Sequence, residues 1–293
     1  MKAATAPHTP VRLSPKLGPF LALLALVPAL VVAPANAQSD GDAINTRIFG
    51  HKHQISVGAA WQKADVILFA ESQSGASADI TLNDLDIDDS DSTFYFDYRY
   101  RFKERWALAA GAYTFSASGG HALERDLSYN GVDFTVGTMT EARLEADAYI
   151  VDLLYNAYES PSLSLWVGGG VHALDLGASI SGEVSVNENE SSFEVADDTL
   201  LAPVPNFRGV GIWTLNQKLA LALKTGWLSA NVDNYSGDFI YAHLRAVYSV
   251  TDNIGLSLGY QYTEIDIVEE RERGDLGFDV VLQGPTITLG FSF

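Results

Sequence analysis

"STFYFDYRYRF" runs from Ser92 to Phe102. Its even positions are Phe94, Phe96, Tyr98, Tyr100 and Phe102; its odd positions include Tyr95, Asp97, Arg99 and Arg101. A period of two is that of a strand whose side chains alternate between faces. The faces are unlike, and two folds fit them. In a soluble sandwich the aromatics meet across a core and the charges face water. In the inverted arrangement the aromatics face acyl chains and the charges look into a closed interior.

Two later stretches favour the inversion. In residues 254–262, Ile254, Leu256, Leu258, Tyr260 and Tyr262 oppose Gly255, Ser257, Gly259 and Gln261. In residues 219–227, Leu219, Leu221, Leu223, Thr225 and Trp227 oppose Ala220, Ala222, Lys224 and Gly226. Five outward side chains match an apolar band of about 25 Å crossed by tilted strands. The small residues opposite suit a narrow lumen, not a sandwich core. After the band the apolar phase ends, because Glu264 and Asp266 follow Tyr262 on the same face.

The ends of the chain agree. Residues 1–16 carry Lys2, Arg12 and Lys16 and no acid, and "LGPFLALLALVPALVVAPANA" then closes in Ala35-Asn36-Ala37. A basic region, an apolar run and a small-x-small site predict a signal peptide over 1–37, cleaved before Gln38. The three basic residues of that segment leave the mature chain 38–293 with 15 basic and 37 acidic residues, a formal charge of −22. Such a charge excludes nucleic acid as a partner, because phosphate binding needs a basic surface. There is no cysteine, so the exported chain relies on a hydrogen-bonded closure and not on disulfides. At the other end, "PTITLGFSF" alternates Ile287, Leu289, Phe291 and Phe293 against Thr286, Thr288, Gly290 and Ser292.

Short polar turns (Lys103 to Arg105, Glu159 to Ser162, Asn216 to Lys218, Thr251 to Asn253) alternate with long acidic or Gly/Ser-bearing connections at 71–91, 118–142, 179–199, 233–238 and 268–277. This alternation predicts an all-β, antiparallel, up-and-down transmembrane β-barrel. Its ten strands lie near 54–70, 92–102, 106–117, 143–157, 163–178, 200–215, 219–232, 239–250, 254–267 and 278–293; a count of eight requires two of these to be loop hairpins. Asn130-Gly131 in "LSYNGVDFTV" signals a hairpin turn, and "GEVSVNENESSFEV" pairs two alternating runs; both read as external hairpin extensions. Trp106, Trp213, Tyr155, Tyr158 and Tyr248 fall at one level and Tyr260, Tyr262, Trp61 and Trp227 at the other, as two interfacial girdles require.

The same parity turns nine ionisable residues inward: Asp97, Arg99, Arg101, Asp152, His172, Arg208, Lys224, His243 and Arg245. Asp97, Asp152, Arg208, Lys224 and Arg245 form a belt near mid-membrane, where unpaired charge is costly. The arginines and Lys224 are therefore expected to bridge Asp97 and Asp152. The belt holds more cations than carboxylates, so water or an anion is expected to join it. It either fills and locks the lumen or lines a narrow conduit; small barrels are commonly filled.

The outside is acidic. Asp84, Asp86, Asp88, Asp89 and Asp91 crowd the first external loop, and Glu183, Glu188, Glu190, Glu194, Asp197 and Asp198 the third. The spacing from Asp84 fails as a calcium loop, with Asp89 at the sixth position and Tyr95 at the twelfth. No cofactor is expected; loose Ca²⁺ or Mg²⁺ bridging to lipopolysaccharide is the remaining metal reading. Catalytic readings fare worse. Omptin proteases, also ten-stranded, carry an Asp-x-His pair, and this chain has none. Ser257 and His243 face inward on adjacent strands, but no third member is placed for a hydrolase.

The mature chain resembles small, mostly uncharacterised Gram-negative outer-membrane barrels, loosely the OmpA-like and OmpW-like group. The residues that carry the likeness are "DLDIDDSDSTFYFDYRYRF", "ALERDLSYNGVDFTVGT", "APVPNFRGVGIWTLNQKLAL", "WLSANVDNYSGDF", "GLSLGYQYTEIDI" and "GPTITLGFSF". The resemblance implies an outer-membrane location, with lipid and lipopolysaccharide as surroundings. It also implies delivery to the barrel-assembly machinery through the strand ending in Phe293. It assigns no catalytic or ligand residue and no oligomeric state. Three functions remain: a scaffold or narrow, porin-like channel for small solutes, a ligand-binding or adhesion protein acting through its acidic loops, and a barrel hydrolase.

Overall fold

The computed structural model describes residues 48–72, 77–81, 90–122, 127–129, 132–134, 136–187, 190–232, 235–270 and 274–293. Toward several hairpin tips only the backbone is described. The strands in chain order are β1 (His53–Ser72), β2 (Ser77–Thr81), β3 (Ser90–Lys103), β4 (Trp106–Ala122), β5 (Leu127–Tyr129), β6 (Val132–Phe134), β7 (Met139–Glu159), β8 (Leu163–Asn187), β9 (Glu190–Thr214), β10 (Leu219–Val232), β11 (Tyr235–Ser249), β12 (Ile254–Glu269) and β13 (Gly274–Ser292). Ten of them form one antiparallel ring in the order β1-β3-β4-β7-β8-β9-β10-β11-β12-β13. The ring closes where β13 pairs β1 from Gln54↔Ser292 to Ser72↔Gly274. Closure leaves none of the ten ring strands without a partner on either side near the short turns, which is what permits a sheet to span a membrane. β2 extends the sheet beside the outer part of β1.

The strands are longer than the sequence suggests. The β8–β9 hairpin stays paired out to Asn187↔Glu190, and β5 and β6 pair separately from Leu127↔Phe134 to Tyr129↔Val132; Asn130 and Gly131 lie outside the described residues. The stretches 233–238 and 268–277, read as loops, are mostly ladder: β10 and β11 pair to Val232↔Tyr235, and β11 and β12 to Tyr235↔Glu269. Acidic and small residues look loop-like in a sequence, yet they sit comfortably on a solvated strand face. Asp84, Asp86, Asp88, Asp89 and Glu188 lie outside the described residues, and the side chains of Asp91, Glu183, Glu190, Glu194, Asp197 and Asp198 are likewise not described.

The inversion argued from residues 92–102 holds around the ring. Phe94, Phe96, Leu153, Val167, Phe207, Trp227, Leu258, Tyr260, Leu289 and Phe291 are exposed on the outer face, while Asp97, Asp152, His172, Arg208, His243 and Arg245 are buried. Farther out along each strand the polarity reverses. On β7, Tyr149, Val151 and Leu153 point outward next to Glu141, Arg143 and Glu145, which share their face; inward, Ala142, Leu144 and Ile150 give way to Asp152. On β12, outward Leu258 and Tyr260 give way to Asp266, while inward Ser257 and Gln261 give way to Ile265 and Ile267. On β1, outward Trp61 is followed by Lys63 and Asp65, and inward Gln62 by Ala64 and Val66. The same strands therefore carry two stacked zones. Near the short turns the ring is closed; farther out the β9–β10 ladder stops at Phe207↔Trp227 and the β3–β4 ladder at Tyr95↔Tyr113, so among the described residues β10-β11-β12-β13-β1-β2 and β4-β7-β8-β9 continue as separate ladders. The part near the short turns has a greasy outside and a polar inside; the part near the hairpin tips has a polar outside and an apolar core.

Close packing across the ladder needs glycine where a ring crosses it. Tyr95 lies over Gly58, its cross-strand partner, and a Cβ at Gly58 would fall on the Tyr95 ring carbon Cζ. The absent side chain lets the tyrosine lie along the inner wall over β1, where its hydroxyl meets Thr288 Oγ1 on β13. At the seam of the barrel, the His53 ring stacks on Tyr100 and Phe293 with centroids 4.8 and 5.1 Å apart. His53 N donates to Phe293 O at 2.9 Å, and Phe293 N returns the bond to His53 O at 3.0 Å.

Candidate functional site

Chemistry-bearing side chains gather in the lumen, in layers stacked along the barrel axis. The lowest layer, at the short-turn end, is a plug. Ile48 and Phe49 precede β1 and fold into the interior, where they pack with Ile212, Ala220, Ala222 and Val247. Beside the plug, Trp166 is buried with Ala107, Ala109 and Leu154. Arg99 and Arg101 hold their guanidinium carbons 5.8 and 5.1 Å from the Trp166 ring centroid, a range in which a cation is attracted by the aromatic face. Arg99 donates to Phe49 O, tying the plug to β3. Arg101 Nε donates to Glu104 O at 2.9 Å, and its Nη2 stands 3.9 Å from Glu159 Oε2.

The second layer is the charged belt. Lys224 Nζ donates to Asp97 Oδ2 at 2.6 Å. Arg208 donates to Asp152 Oδ2, and His172 Nε2 stands 3.7 Å from Asp152 Oδ1. Asn206 Nδ2 is 3.0 Å from the same His172 nitrogen. Arg245 is buried among these groups, and its Nε has no hydrogen-bond partner among the described residues. Its alkyl stem lies against Gly259, where a Cβ would approach Arg245 Cγ to 2.7 Å. The room is needed because Gly259 is the cross-strand neighbour of Arg245.

Aromatic and amide groups form the third layer. Tyr113 and Tyr241 meet hydroxyl to hydroxyl at 3.2 Å. β4 and β11, which carry them, are five strands apart in either direction round the ring. His243 is fully buried, with its Nε2 2.9 Å from Thr286 Oγ1 and its ring edge-on to Tyr95. Gln62 accepts from Thr93 Oγ1 at 2.8 Å. Above lies the apolar core of the outer part, with Leu174, Leu176, Phe239, Ile265, Phe278 and Val280 all buried.

All nine ionisable residues assigned inward thus face the interior, in two groups. Arg99 and Arg101 attend the plug and Trp166; Asp97, Asp152, His172, Arg208, Lys224 and Arg245 share the belt, with His243 just above it. Ser257 and His243 are not brought together: Ser257 pairs across the ladder with Val247, and His243 with Gln261. Inward Trp166, Tyr113, Tyr241 and Asn206 escaped the sequence reading because parity was applied to ionisable residues alone. The same parity places them inside. Among the described residues no group of three or more His, Cys, Asp or Glu side chains is arranged to hold a metal ion.

No protein-family model matches the chain, and no curated protein matches it either. Among solved structures, the outer membrane protease OmpT from Escherichia coli superposes with a TM-score of 0.55 at 9% identity, over 82% of this chain and 96% of that one. The Pseudomonas putida toluene transporter TodX gives 0.33 at 10% identity, over 83% of this chain and 90% of that one. Neisserial surface protein A gives 0.31 at 13% identity, over 83% of this chain and 97% of that one. The chain has the fold of the outer-membrane β-barrels, in a closed ten-strand form. At such low identity the likeness to OmpT is one of fold alone.

Proposed function

We propose that the protein is exported by the segment 1–37, resides in the outer membrane and acts there as a closed structural scaffold. In this reading it holds its acidic hairpins above the cell surface and conducts nothing. The observation that supports it is that side chains from opposite walls of the barrel touch at two levels. Lys224 on β10 reaches Asp97 on β3, and Tyr241 on β11 reaches Tyr113 on β4. A ten-strand barrel is wider than the eight-strand ring that ordinary side chains fill, and this one is spanned by long residues meeting in the middle. The plug of Ile48 and Phe49 below these bridges and the buried apolar core above them support the same reading.

The outward band of aromatic and aliphatic side chains supports the membrane location, and the C-terminal strand ending in Phe293 supports delivery by the barrel-assembly machinery. The kinship with OmpA-like and OmpW-like barrels rests on the sequence stretches quoted above. Planar-bilayer recording on the purified mature barrel tests the scaffold reading. A silent membrane is expected at protein loads where a porin conducts; discrete, reproducible steps would establish a channel instead.

A further inference from the structure

Below the belt lies a cavity of about 50 Å³ whose lining includes Ser56, Asp97, Arg99, Arg208, Lys224 and Arg245. A water needs about 10–15 Å³ by this measure, so the space holds a few waters or one small ion with a water or two. Its walls carry four cations and one carboxylate.

The pairing accounts for two of those cations. Arg208 is matched by Asp152, which reaches it from outside the cavity. Lys224 is matched by Asp97 at 2.6 Å. Arg99 is turned toward a backbone carbonyl and the Trp166 face. Arg245 has no carboxylate within ion-pair distance among the described residues. It is 6% exposed, and its Nε is without a hydrogen-bond partner. A guanidinium does not escape by losing its proton, and an isolated buried charge is among the costliest groups a protein can hold. The carboxylate near it, Asp97, is already occupied by an ammonium. Around Arg245 the lumen is short of one negative charge, and it has a hole in which to put one.

We propose that this cavity is a binding site for a small monovalent inorganic anion of the chloride or bromide class, held between Arg245 and Lys224. The anion completes the belt: it neutralises Arg245, leaves Asp97 to Lys224, and ties the neighbouring strands β10 and β11 to β3 across the lumen. Size selects it, since the cavity excludes organic anions such as gluconate. The plug residue Phe49 also lines the cavity, so the ion is enclosed from the short-turn side once the barrel is folded. The site goes beyond the scaffold reading and is independent of whether the barrel conducts.

The test uses the full mature barrel in detergent. Crystals grown in bromide are expected to show one anomalous peak in contact with the Arg245 guanidinium and the Lys224 ammonium. Melting in bromide is expected to exceed melting in gluconate at equal ionic strength, saturably and by about 2–4 °C. Arg245→Gln should fold and lose that increment. A wild-type crystal without the peak overturns the proposal and leaves water in the cavity. A peak elsewhere, or a bromide increment that survives in R245Q, overturns it as well. If R245Q does not fold, the wild-type crystal decides alone.

Discussion

Lys224 Nζ stands 2.6 Å from Asp97 Oδ2, although β10 and β3 are five strands apart in either direction round the ring. The pair is a strut across the diameter of the barrel. Both side chains are only 12% exposed, so each depends on the other for charge compensation. Asp97→Ala leaves a buried ammonium between Arg208 and Arg245 and is expected to cost about 3–5 kcal/mol. The double replacement Asp97→Asn with Lys224→Met removes both charges and should recover much of that loss. Equilibrium unfolding of the two variants in detergent checks the difference. A melting curve for D97A that matches the wild type would remove the structural role of the pair.

The outer part of the strands is held by a different force. Phe278 is fully buried, among Val280, Ile265 and Ile267 of the apolar core beyond the belt. Phe278→Ala is expected to destabilise this part by about 3–5 kcal/mol through lost burial and a residual cavity. The part near the short turns has its own contacts and should stay folded. Limited proteolysis would then cut the outer ends of β11–β13 faster, while the remainder keeps its resistance to unfolding in detergent. Uniform loss of both would show that the two stacked regions form a single cooperative unit.

The sequence made the wall legible and the filling only partly so. Alternation in "STFYFDYRYRF" and "GLSLGYQY" fixes which side chains face in, because a strand has a period of two whatever its neighbours. Parity does not say which inward residues meet. Asp97 meets Lys224 from the opposite wall, while Asp152 takes Arg208, because of strand order, tilt and stagger, which belong to the closed ring. The outer apolar core was hidden for another reason. Small and acidic residues such as Gly119, Gly120 and Glu141 made residues 118–142 look like a loop, although β4 and β7 stay paired there out to Ala122↔Met139. The plug was hidden because two apolar residues, Ile48 and Phe49, form no pattern.

Asp266 gives the outer part of the strands a pH dependence. It is exposed on the outer face beyond the apolar band, with Asp238 and Asp279 as its ladder neighbours on either side. Partial burial raises its carboxyl above the usual range, and the carboxylates of Asp279, Asp238 and Glu264 push it further the same way. A folded-state pKa above the unfolded one means that protonation stabilises the fold. That stability is full below the ordinary aspartate range, near pH 4, and is lost as pH rises through the raised value. Amide exchange at the outer ends of β11, β12 and β13, corrected for intrinsic rates, should be slower at mildly acidic than at neutral pH. Asp266→Asn should slow it at neutral pH and flatten the dependence. An unchanged profile in D266N would assign the effect to other groups.

The reversal of polarity along β12 predicts where the membrane ends. Leu258 and Asp266 lie on the same outward face of one strand, eight residues apart, about 26 Å along a strand axis at 3.3 Å per residue. Leu258 is 63% exposed on the barrel surface, so in a bilayer it meets acyl chains. Leu258→Arg should therefore cost about 2–4 kcal/mol, the value for arginine near the bilayer midplane of a barrel. Asp266→Arg places the same side chain beyond the apolar band and should cost nothing by this route; by relieving repulsion from Asp238 and Asp279 it should stabilise slightly. Unfolding of the two variants in lipid vesicles separates these outcomes. Equal costs at both positions would place the two residues in the same surroundings, and an outer face wet along its whole length would return the protein to the soluble class that the aromatic period of residues 92–102 argues against.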